Sequence, residues 1–349
     1  MNDTQLQRDF YKRYGISKNR VSFSKTGLLC TLIGNSEIED YPFISCGLSM
    51  CVRAMGRRLN GKLVKLENTH TGNCSIYRFD EISKNTDETS MIIKEFFKHS
   101  EFGAEILYDS TIPESFMEDD VLNITLINSL FKTIQKDYDI YKKASLIKDF
   151  RKSLAMLYEK KGYCTLMNGS RHKNLPLPLM GYKILLVRTR LKKSPRKKLF
   201  EKSDFDAIKR IYPHILSVND LTEDMLKNPK TGLNKEKINI FRYLICEREF
   251  VNISEIYLKA LKIKNFAETI NRSEDKFRQL CYADEKAAFA VDVLRDMNEC
   301  ICAKQQHDSV FAFVREDFTD NAVNILTHSF SQSFGYEPSI CICNTCTAE

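Results

Sequence analysis

The sequence predicts an α+β protein with two domains. The chain has 349 residues, of which 43% are hydrophobic and 28% are charged, so it can bury more than one core of ordinary size. Segments in which apolar residues recur with helical spacing are mixed with short apolar runs typical of strands. A basic run that starts at Arg188 suggests a linker, and we predict domains at residues 1–193 and 194–349.

The individual elements follow from periodicity along the chain. Helical spacing predicts helices at residues 6–14, 91–99, 121–137, 146–158, 205–211, 238–261 and 284–300. Alternating or compact apolar runs predict strands at residues 63–66, 181–189, 310–314, 322–327 and 339–343. Pro176 and Pro178 punctuate the entry into the strand at 181–189.

Three short segments near the N-terminus carry a family resemblance: Phe23-Ser24-Lys25-Thr26-Gly27, Leu32-Ile33-Gly34 and Asp40-Tyr41-Pro42. Their order resembles the first motif of galactokinases in the GHMP small-molecule kinase superfamily. There, a Pro-Gly-Arg segment leads into Leu-Ile-Gly-Glu-His-x-Asp-Tyr. Weaker similarity continues at residues 110–113, 160–163, 176–189, 241–250 and 265–273. The resemblance implies a two-domain GHMP-kinase-like fold with a cleft between the N- and C-terminal domains.

The functional side chains of the first motif are not retained. The resemblance places the family's catalytic arginine on Leu28 or Leu29, and neither can stabilise phosphoryl charge. The sugar-gripping Glu-His pair corresponds to Asn35 and Ser36, Glu37 follows, and the sugar-binding aspartate corresponds to Ile38. Glu37, Glu39 and Asp40 could rebuild a polar site only with a register shift. A solvated acidic loop is the other interpretation.

The second family motif is a glycine-rich phosphate loop, and its counterpart here is acidic. With Pro113 on the motif's proline, Ser115 and Met117 take the glycine positions. The Leu-Ser-Ser positions become Glu118, Asp119 and Asp120. Carboxylates at a helix N-terminus stabilise the helix by about 0.3–1 kcal/mol. They also repel a triphosphate, since two like charges at roughly 4 Å cost about 1 kcal/mol even in water.

The catalytic base and the third motif are also altered. The family's aspartate base corresponds to Lys152, whose positive charge could instead pair with the acidic loop at residues 118–120; an ordinary exposed lysine is the alternative. The third motif, a glycine-rich turn around Phe318, becomes Arg315, Glu316, Asp317, Thr319 and Asp320. Because left-handed backbone costs residues other than glycine about 1–2 kcal/mol, this turn must have been rebuilt.

Cysteine usage and charge suggest a cytoplasmic protein. Twelve cysteines and the absence of an apolar leader predict reduced thiols, and no membrane span is expected. Two groups of residues are considered as zinc ligands: the first is Cys300 and Cys302 near His307, and the second is Cys341, Cys343 and Cys346 near the end. Neither group supplies the two paired spacings of a structural zinc site, so no metal is expected. The net charge of +7 is spread along the sequence, with one concentration of basic residues at 188–198. We interpret this run as a solvated linker rather than a nucleic-acid site.

Together these features favour a galactokinase-like pseudokinase that has lost ATP-dependent sugar phosphorylation and keeps its apolar core pattern. We expect no cofactor, and a partner that is a sugar, another small molecule or a protein. The alternative is an active sugar kinase with a rearranged site. ATP and Mg²⁺ would then be needed, with Asp119 or Asp120 binding the metal and Lys152 or Arg53 contacting phosphate.

Overall fold

The computed structural model describes residues 3–15, 21–82, 87–117, 119–134, 139–190, 199–306 and 309–345. The chain divides into two compact units. The first unit contains the described parts of 1–29 and 47–161 together with Thr345, and the second contains residues 30–46 and the described parts of 162–344. The boundary predicted at residues 193 and 194 lies outside the described residues and stays a prediction.

The sheet of the first unit is built from strands β1 (Val21–Gly34), β2 (Phe43–Leu59), β3 (Leu63–Asn68), β4 (Cys74–Arg78) and β5 (Gly103–Ser110). The strand order is β4-β3-β5-β2, and β1 also pairs with β2. β3 runs parallel to β5, whereas β4 pairs with β3, and β2 with β5, in antiparallel orientation. β1 and β2 are long enough to continue into the second unit.

The helices of the first unit are α1 (Asp3–Tyr14), α2 (Glu88–His99), α3 (Asp119–Thr133), α4 (Ile140–Ser145) and α5 (Phe150–Leu157). α3 is a core helix, since every residue from Val121 to Phe131 except Leu122 is buried. A helix that is buried on all sides is held firmly by its surroundings. Its first turn therefore has a fixed position in the unit.

The second unit contains two sets of strands. The first residues of β2 pair with β6 (Tyr163–Asn168), which pairs with β7 (Arg171–Pro176). A separate four-stranded antiparallel sheet has the order β11-β8-β10-β9. Its strands are β8 (Tyr182–Arg188), β9 (Cys300–Gln306), β10 (Ser309–Arg315) and β11 (Ser339–Cys343).

The helices of the second unit are α6 (Lys202–Ile211), α7 (Glu223–Leu226), α8 (Lys235–Lys259), α9 (Ile263–Leu280), α10 (Glu285–Arg295) and α11 (Thr319–Phe334). Side chains of α10 and α11 form one apolar cluster with β8 and β10. A second cluster joins α6, α7 and α8 to Tyr41, which is 1% exposed. The hydroxyl of Tyr41 donates a hydrogen bond to the carbonyl of Leu244.

Most of the predicted elements are present. The helices predicted at 6–14, 91–99, 205–211 and 238–261 are α1, α2, α6 and α8, and the strands predicted at 63–66, 181–189, 310–314 and 339–343 are β3, β8, β10 and β11. The ends of other helices differ. α5 begins only at Phe150, and α3 ends at Thr133, while residues 135–137 lie outside the described ranges.

Two predictions near the C-terminus are wrong. Residues 322–327 belong to helix α11 and not to a strand, because Ala322, Leu326 and Phe330 recur every four residues and are all buried. The helix predicted at 284–300 ends at Arg295, and Cys300 begins β9. None of the helices in the described ranges combines the length and apolar composition needed to cross a bilayer.

Candidate functional site

The loop before α3 corresponds to the predicted phosphate loop. It runs from Pro113 through one turn of 3-10 helix at Glu114–Phe116, and α3 begins at Asp119. Phe116 is buried, and the sulfur of Met117 accepts a hydrogen bond from Ser110 Oγ at 3.7 Å. Neither Ser115 nor Met117 has a left-handed φ, so this loop needs no backbone conformation that favours glycine. Glu118 lies outside the described residues.

Two carboxylates stand at the start of the core helix. Asp119, which is exposed, and the half-buried Asp120 form the first turn of α3. Their charges favour the helix dipole, and they lie at the kind of helix N-terminus that binds phosphate in many proteins. The Oδ2 atom of Asp120 is 3.8 Å from Nζ of Lys152. The first unit therefore presents an acidic helix terminus with one lysine beside it.

Lys152 is fixed by the local structure of α5. Asp149 caps this helix by accepting a hydrogen bond from the backbone N–H of Lys152 at 3.2 Å, and the lysine side chain is only 6% exposed. A buried ammonium group is stable only beside a counter-charge. The predicted pairing of Lys152 with the acidic loop is confirmed for Asp120. Its correspondence to the family's catalytic base stays a prediction.

The other positions considered for phosphate chemistry are occupied by core side chains. Leu28 and Leu29 lie on β1 and are 4% and 7% exposed, and neither can donate a hydrogen bond to a phosphate. Arg53 on β2 forms a buried bidentate pair with Asp109 on β5. Its Nε is 2.8 Å from Oδ1 and its Nη2 is 2.7 Å from Oδ2. This guanidinium is thus engaged within the sheet.

In the second unit, the loop after Gly34 holds the predicted sugar-site positions. Gly34 ends β1 with φ of +85°, and a Cβ on it would lie 2.3 Å from the carbonyl oxygen of Pro42. The Oδ1 atom of Asn35 accepts a hydrogen bond from the backbone N–H of Glu37 at 2.8 Å. Ile38 packs against the apolar cluster of α6, α7 and α8. The position matched to a sugar-binding aspartate therefore serves core packing.

The rest of this loop is polar and more exposed. Ser36 is half-buried, while Glu37 and Glu39 are exposed. Asp40 has φ of 58°, which is uncommon for a residue other than glycine, and its carbonyl accepts a hydrogen bond from Asn219 Nδ2 at 2.6 Å. No group of three or more His, Cys, Asp or Glu residues within the described ranges could hold a metal ion.

A buried ionic network supports the start of this loop, and the sequence analysis missed it. Glu247 on α8 and Lys304 on β9 form an ion pair of 2.6 Å with side chains 0% and 7% exposed. Glu247 Oε1 also accepts a hydrogen bond from Gly34 N at 2.8 Å, and Lys304 Nζ donates one to Ser273 Oγ at 2.7 Å. The only sequence signal was a glutamate at 247 on the apolar side of α8, four residues from Tyr243.

The third-motif positions form a compact turn in the second unit. The N–H of Arg315 donates to the carbonyl of Glu299 at 2.9 Å, and Glu316 begins a turn of 3-10 helix that leads into α11. Arg315 pairs with Asp317 at 2.5 Å and Lys183 with Glu316 at 2.8 Å.

None of the third-motif residues has a left-handed φ. Thr319, the first residue of α11, is buried, and Asp320 is exposed. This turn therefore needs no backbone conformation that favours glycine. Its correspondence to the family's third motif stays a prediction.

The cysteine groups lie on strands. Cys300 and Cys302 are on β9, and Cys341 and Cys343 are on β11. Burial raises the pKa of the Cys300 and Cys343 thiols to about 12, so the thiolate form that binds metals is disfavoured at neutral pH. His307 and Cys346 lie outside the described residues.

Only the first part of the basic run can be placed. Arg188 ends β8, and the guanidinium of Arg190 pairs with Asp284. The remaining basic residues of the run lie outside the described ranges: Lys192, Lys193, Arg196, Lys197 and Lys198. The interpretation of this run as a linker stays a prediction.

The fold is similar to solved structures of two kinases and a decarboxylase over nearly the whole chain. The galactokinase of Lactococcus lactis, crystallised with galactose, matches with a TM-score of 0.82 at 15% identity over 99% of both chains. The mevalonate kinase of Methanococcus jannaschii matches with a TM-score of 0.65 at 13% identity, over 95% of this chain and 100% of that one. The mevalonate diphosphate decarboxylase of Staphylococcus aureus matches with a TM-score of 0.59 at 10% identity, over 94% and 96%.

No family model matches the sequence, and no curated protein matches it either. At identities of 10–15% the similarity establishes the fold and leaves the activity open. The predicted α+β, GHMP-kinase-like fold is confirmed.

Proposed function

We propose that this chain is a galactokinase-like protein that no longer transfers phosphate from ATP and acts by binding a small ligand, with a sugar as the first candidate. The observation that carries the proposal is the ion pair of Asp120 and Lys152 at the start of α3, with a distance of 3.8 Å. This pair lies where the family resemblance puts the phosphate loop and the catalytic base.

Electrostatics supports the loss of nucleotide binding. A phosphate chain at a helix N-terminus is held by backbone N–H groups and the positive end of the dipole. Here Asp119 and Asp120 lie in the first turn of α3. Each like-charge contact at roughly 4 Å adds about 1 kcal/mol of repulsion in water and more in a partly buried site.

The cations that an active kinase would need are also engaged elsewhere. Lys152 faces Asp120, and Arg53 is held by both oxygens of Asp109. Phosphoryl transfer depends on cations and hydrogen-bond donors placed around the transferred group. The active-kinase alternative would require at least one of these two pairs to open.

A sugar is the preferred ligand class because the similar Lactococcus lactis galactokinase was crystallised with galactose. Asn35, Ser36 and Glu37 place three consecutive polar side chains on this loop, of which Glu37 is exposed and the other two are half-buried. The apolar side chain of Ile38 cannot hydrogen-bond a sugar hydroxyl as the family's aspartate does. We therefore expect other side chains to contact the sugar hydroxyls. A protein partner remains the second kind of ligand.

The proposal is tested by measuring ADP release from ATP-Mg with a panel of sugars, beside thermal shifts with the same sugars and with ATP-Mg. We expect background ADP release, no shift with ATP-Mg and a shift with at least one sugar. A ligand at 100 times its Kd stabilises a protein by about 2.7 kcal/mol, which a melting curve resolves. Sugar-dependent ADP release above background would contradict the proposal and establish the kinase alternative.

Variants test the electrostatic argument directly. Replacing Asp119 and Asp120 by serine should raise the affinity for ATP at least about tenfold, since roughly 1.4 kcal/mol of repulsion corresponds to one factor of ten. The control is Glu236→Ser with Glu285→Ser, which removes two exposed carboxylates from the first turns of α8 and α10. Equal ATP affinity in both double variants would refute the role of the acidic loop.

A further inference from the structure

The turn between α8 and α9 in the second unit has a leucine where a glycine is usual. α8 ends at Lys259. Beyond it, the N–H of Lys262 donates a hydrogen bond to the carbonyl of Tyr257 at 2.9 Å, and the N–H of Leu261 donates one to the carbonyl of Leu258 at 3.0 Å. These two bonds form a Schellman motif, whose left-handed residue is most often glycine. Here that residue is Leu261, with φ of 57°.

Two other helices of the chain end in the same conformation on a glycine. Gly15 follows α1 with φ of 59°, and Gly335 follows α11 with φ of 74°. A left-handed backbone destabilises a residue that carries a Cβ, and burial recovers little of this cost at Leu261, because its side chain is 60% exposed. Ile256, about one turn before the end of α8, is 64% exposed as well. Leu261 is thus better placed to contact a partner than to stabilise the turn.

Lysines flank this leucine, and no carboxylate lies among them in the sequence. Lys259, Lys262 and Lys264 are exposed, and residues 256–267 include no aspartate or glutamate. Lys259 pairs with Glu255 at 2.8 Å, whereas within the described ranges no carboxylate pairs with Lys262 or Lys264. The turn therefore combines exposed aliphatic side chains with positive charge that the chain itself does not neutralise.

We propose that the turn between α8 and α9 docks on the anionic surface of a lipid bilayer without crossing it. Lys262 and Lys264 contact the acidic headgroups, to which each lysine adds an attraction that salt screens. Leu261 enters the boundary between the headgroups and the acyl chains, where apolar side chains of surface-bound segments are buried. The long methylene stems of the lysines let their ammonium groups stay at the headgroups while the leucine goes deeper.

A lipid surface fits this turn better than an acidic protein does. Residues 259–262 are all exposed, so the turn presents its side chains outward and does not line a groove. A protein partner would have to supply a pocket for Leu261 and carboxylates placed around that pocket for the lysines. A bilayer accepts an aliphatic side chain at any point of its boundary region, and its anionic lipids supply the counter-charge.

Co-sedimentation with lipid vesicles tests the proposal. So small a contact should bind less tightly than the roughly 10⁴ M⁻¹ of a single myristoyl chain, so the lipid is used at about 1 mM or more. We expect vesicles with about one third phosphatidylserine to bind the protein at least about tenfold more tightly than vesicles of phosphatidylcholine alone, and added salt to release it. Equal binding to both kinds of vesicle, or binding to neither, would overturn the proposal. Binding to polyglutamate in place of the vesicles would assign the surface to an acidic protein and would overturn it as well.

The variant Leu261→Gly separates docking from stability. Glycine is the usual residue at this position of a Schellman motif, so the variant should fold with an unchanged or higher Tm. It should nevertheless bind the anionic vesicles at least about fivefold more weakly, because no aliphatic side chain then enters the bilayer. Leu216→Gly is the control, since it removes an 81% exposed leucine between α6 and α7 and should bind as the wild type does. Unchanged binding of Leu261→Gly, or equal weakening by both variants, would refute the docking role of this turn.

Discussion

The backbone conformation at Gly34, in the first motif, requires a glycine. Its φ is +85°, and an added Cβ would lie 2.3 Å from Pro42 O and 2.6 Å from Phe43 Cα. Both neighbours are main-chain atoms, which cannot turn away as a flexible side chain could. The glycine thus lets the chain turn back from β1 towards β2 at close range.

We expect Gly34→Ala to lower the free energy of unfolding by about 2–5 kcal/mol. Left-handed backbone costs alanine about 1–2 kcal/mol, and overpacking adds about 1–3 kcal/mol. Gly61→Ala is the matched control, because Gly61 has φ of +95° with nothing within 4 Å of an added Cβ. In urea unfolding, Gly61→Ala should lower the free energy of unfolding only by the cost of left-handed backbone, about 1–2 kcal/mol. Equal losses in both variants would show that the close contact relaxes freely.

The altered motif positions fall into two physical classes at the residue scale. Leu28 and Ile38 have joined apolar cores, so a polar ligand group at these positions has no partner. Asp120 and Lys152 instead form a charged pair. An apolar side chain at these positions offers no hydrogen bond to a ligand, whereas the carboxylate of the charged pair also repels an anionic ligand.

At the element scale, α8, α9 and β9 are joined by the Glu247 network. Glu247 from α8 contacts Lys304 from β9 at 2.6 Å, and Ser273 from α9 bonds to both. The same carboxylate accepts the N–H of Gly34 at 2.8 Å. Three elements and the start of the loop after Gly34 therefore depend on one buried ion pair.

Breaking this pair should be costly. Lys304→Met leaves a buried carboxylate without its cation and should destabilise the protein by about 3–5 kcal/mol. Adding Glu247→Gln should restore part of the loss, with a coupling of about 0.5–3 kcal/mol in a double-mutant cycle. Lys227→Met, which removes the surface pair with Asp224, should leave the urea midpoint unchanged. Strict additivity of the two buried substitutions would refute the coupling.

The error at α11 shows how short apolar runs mislead at the element scale. Residues 322–327 contain Ala322, Val323, Ile325 and Leu326, a run that is compact enough to resemble a buried strand. Within this run alone the apolar pattern fits a helix and a strand equally well, and the residues that follow it decide between them. Phe330 extends the four-residue spacing, and Gly335, with φ of 74°, ends the helix. A longer window would have favoured the helix.

At the scale of the whole chain, the net charge of +7 increases in acid as carboxylates take up protons, and self-repulsion then opposes folding. One carboxylate makes a specific contribution. Glu105 accepts hydrogen bonds from Lys65 Nζ at 2.9 Å and Arg57 Nε at 2.8 Å. The Arg57 guanidinium also lies 4.1 Å from the ring centroid of Tyr14 on α1.

The pH dependence of stability should report this contact. Burial favours the neutral form of Glu105, but the bonds from Lys65 and Arg57 outweigh it and lower the pKa below the ordinary 4.5. The stabilisation is therefore present above pH 4.5 and is lost as pH falls through the lower folded-state pKa. We expect the difference in Tm between wild type and Glu105→Gln to shrink as the pH falls below about 4.5.

Glu101→Gln, at an exposed position of the same unit, controls for the general effect of acid on this +7 protein. It should follow the wild-type Tm at every pH. A difference between wild type and Glu105→Gln that stays constant down to pH 3 would contradict the assigned pKa shift.

The sequence by itself determined the α+β class and most of the helices and strands. These features depend on local periodicity and residue type, which can be read along one chain. The pairing of Lys152 with Asp120 could also be predicted from the sequence, because the resemblance matched both positions to one site of the family.

Only the tertiary structure decided which buried charges are neutralised and by what. Glu247 meets Lys304 across 57 residues and Gly34 across 213, and Arg53 meets Asp109 across 56. Such contacts arise when strands and helices distant in sequence pack side by side, and no local pattern encodes them.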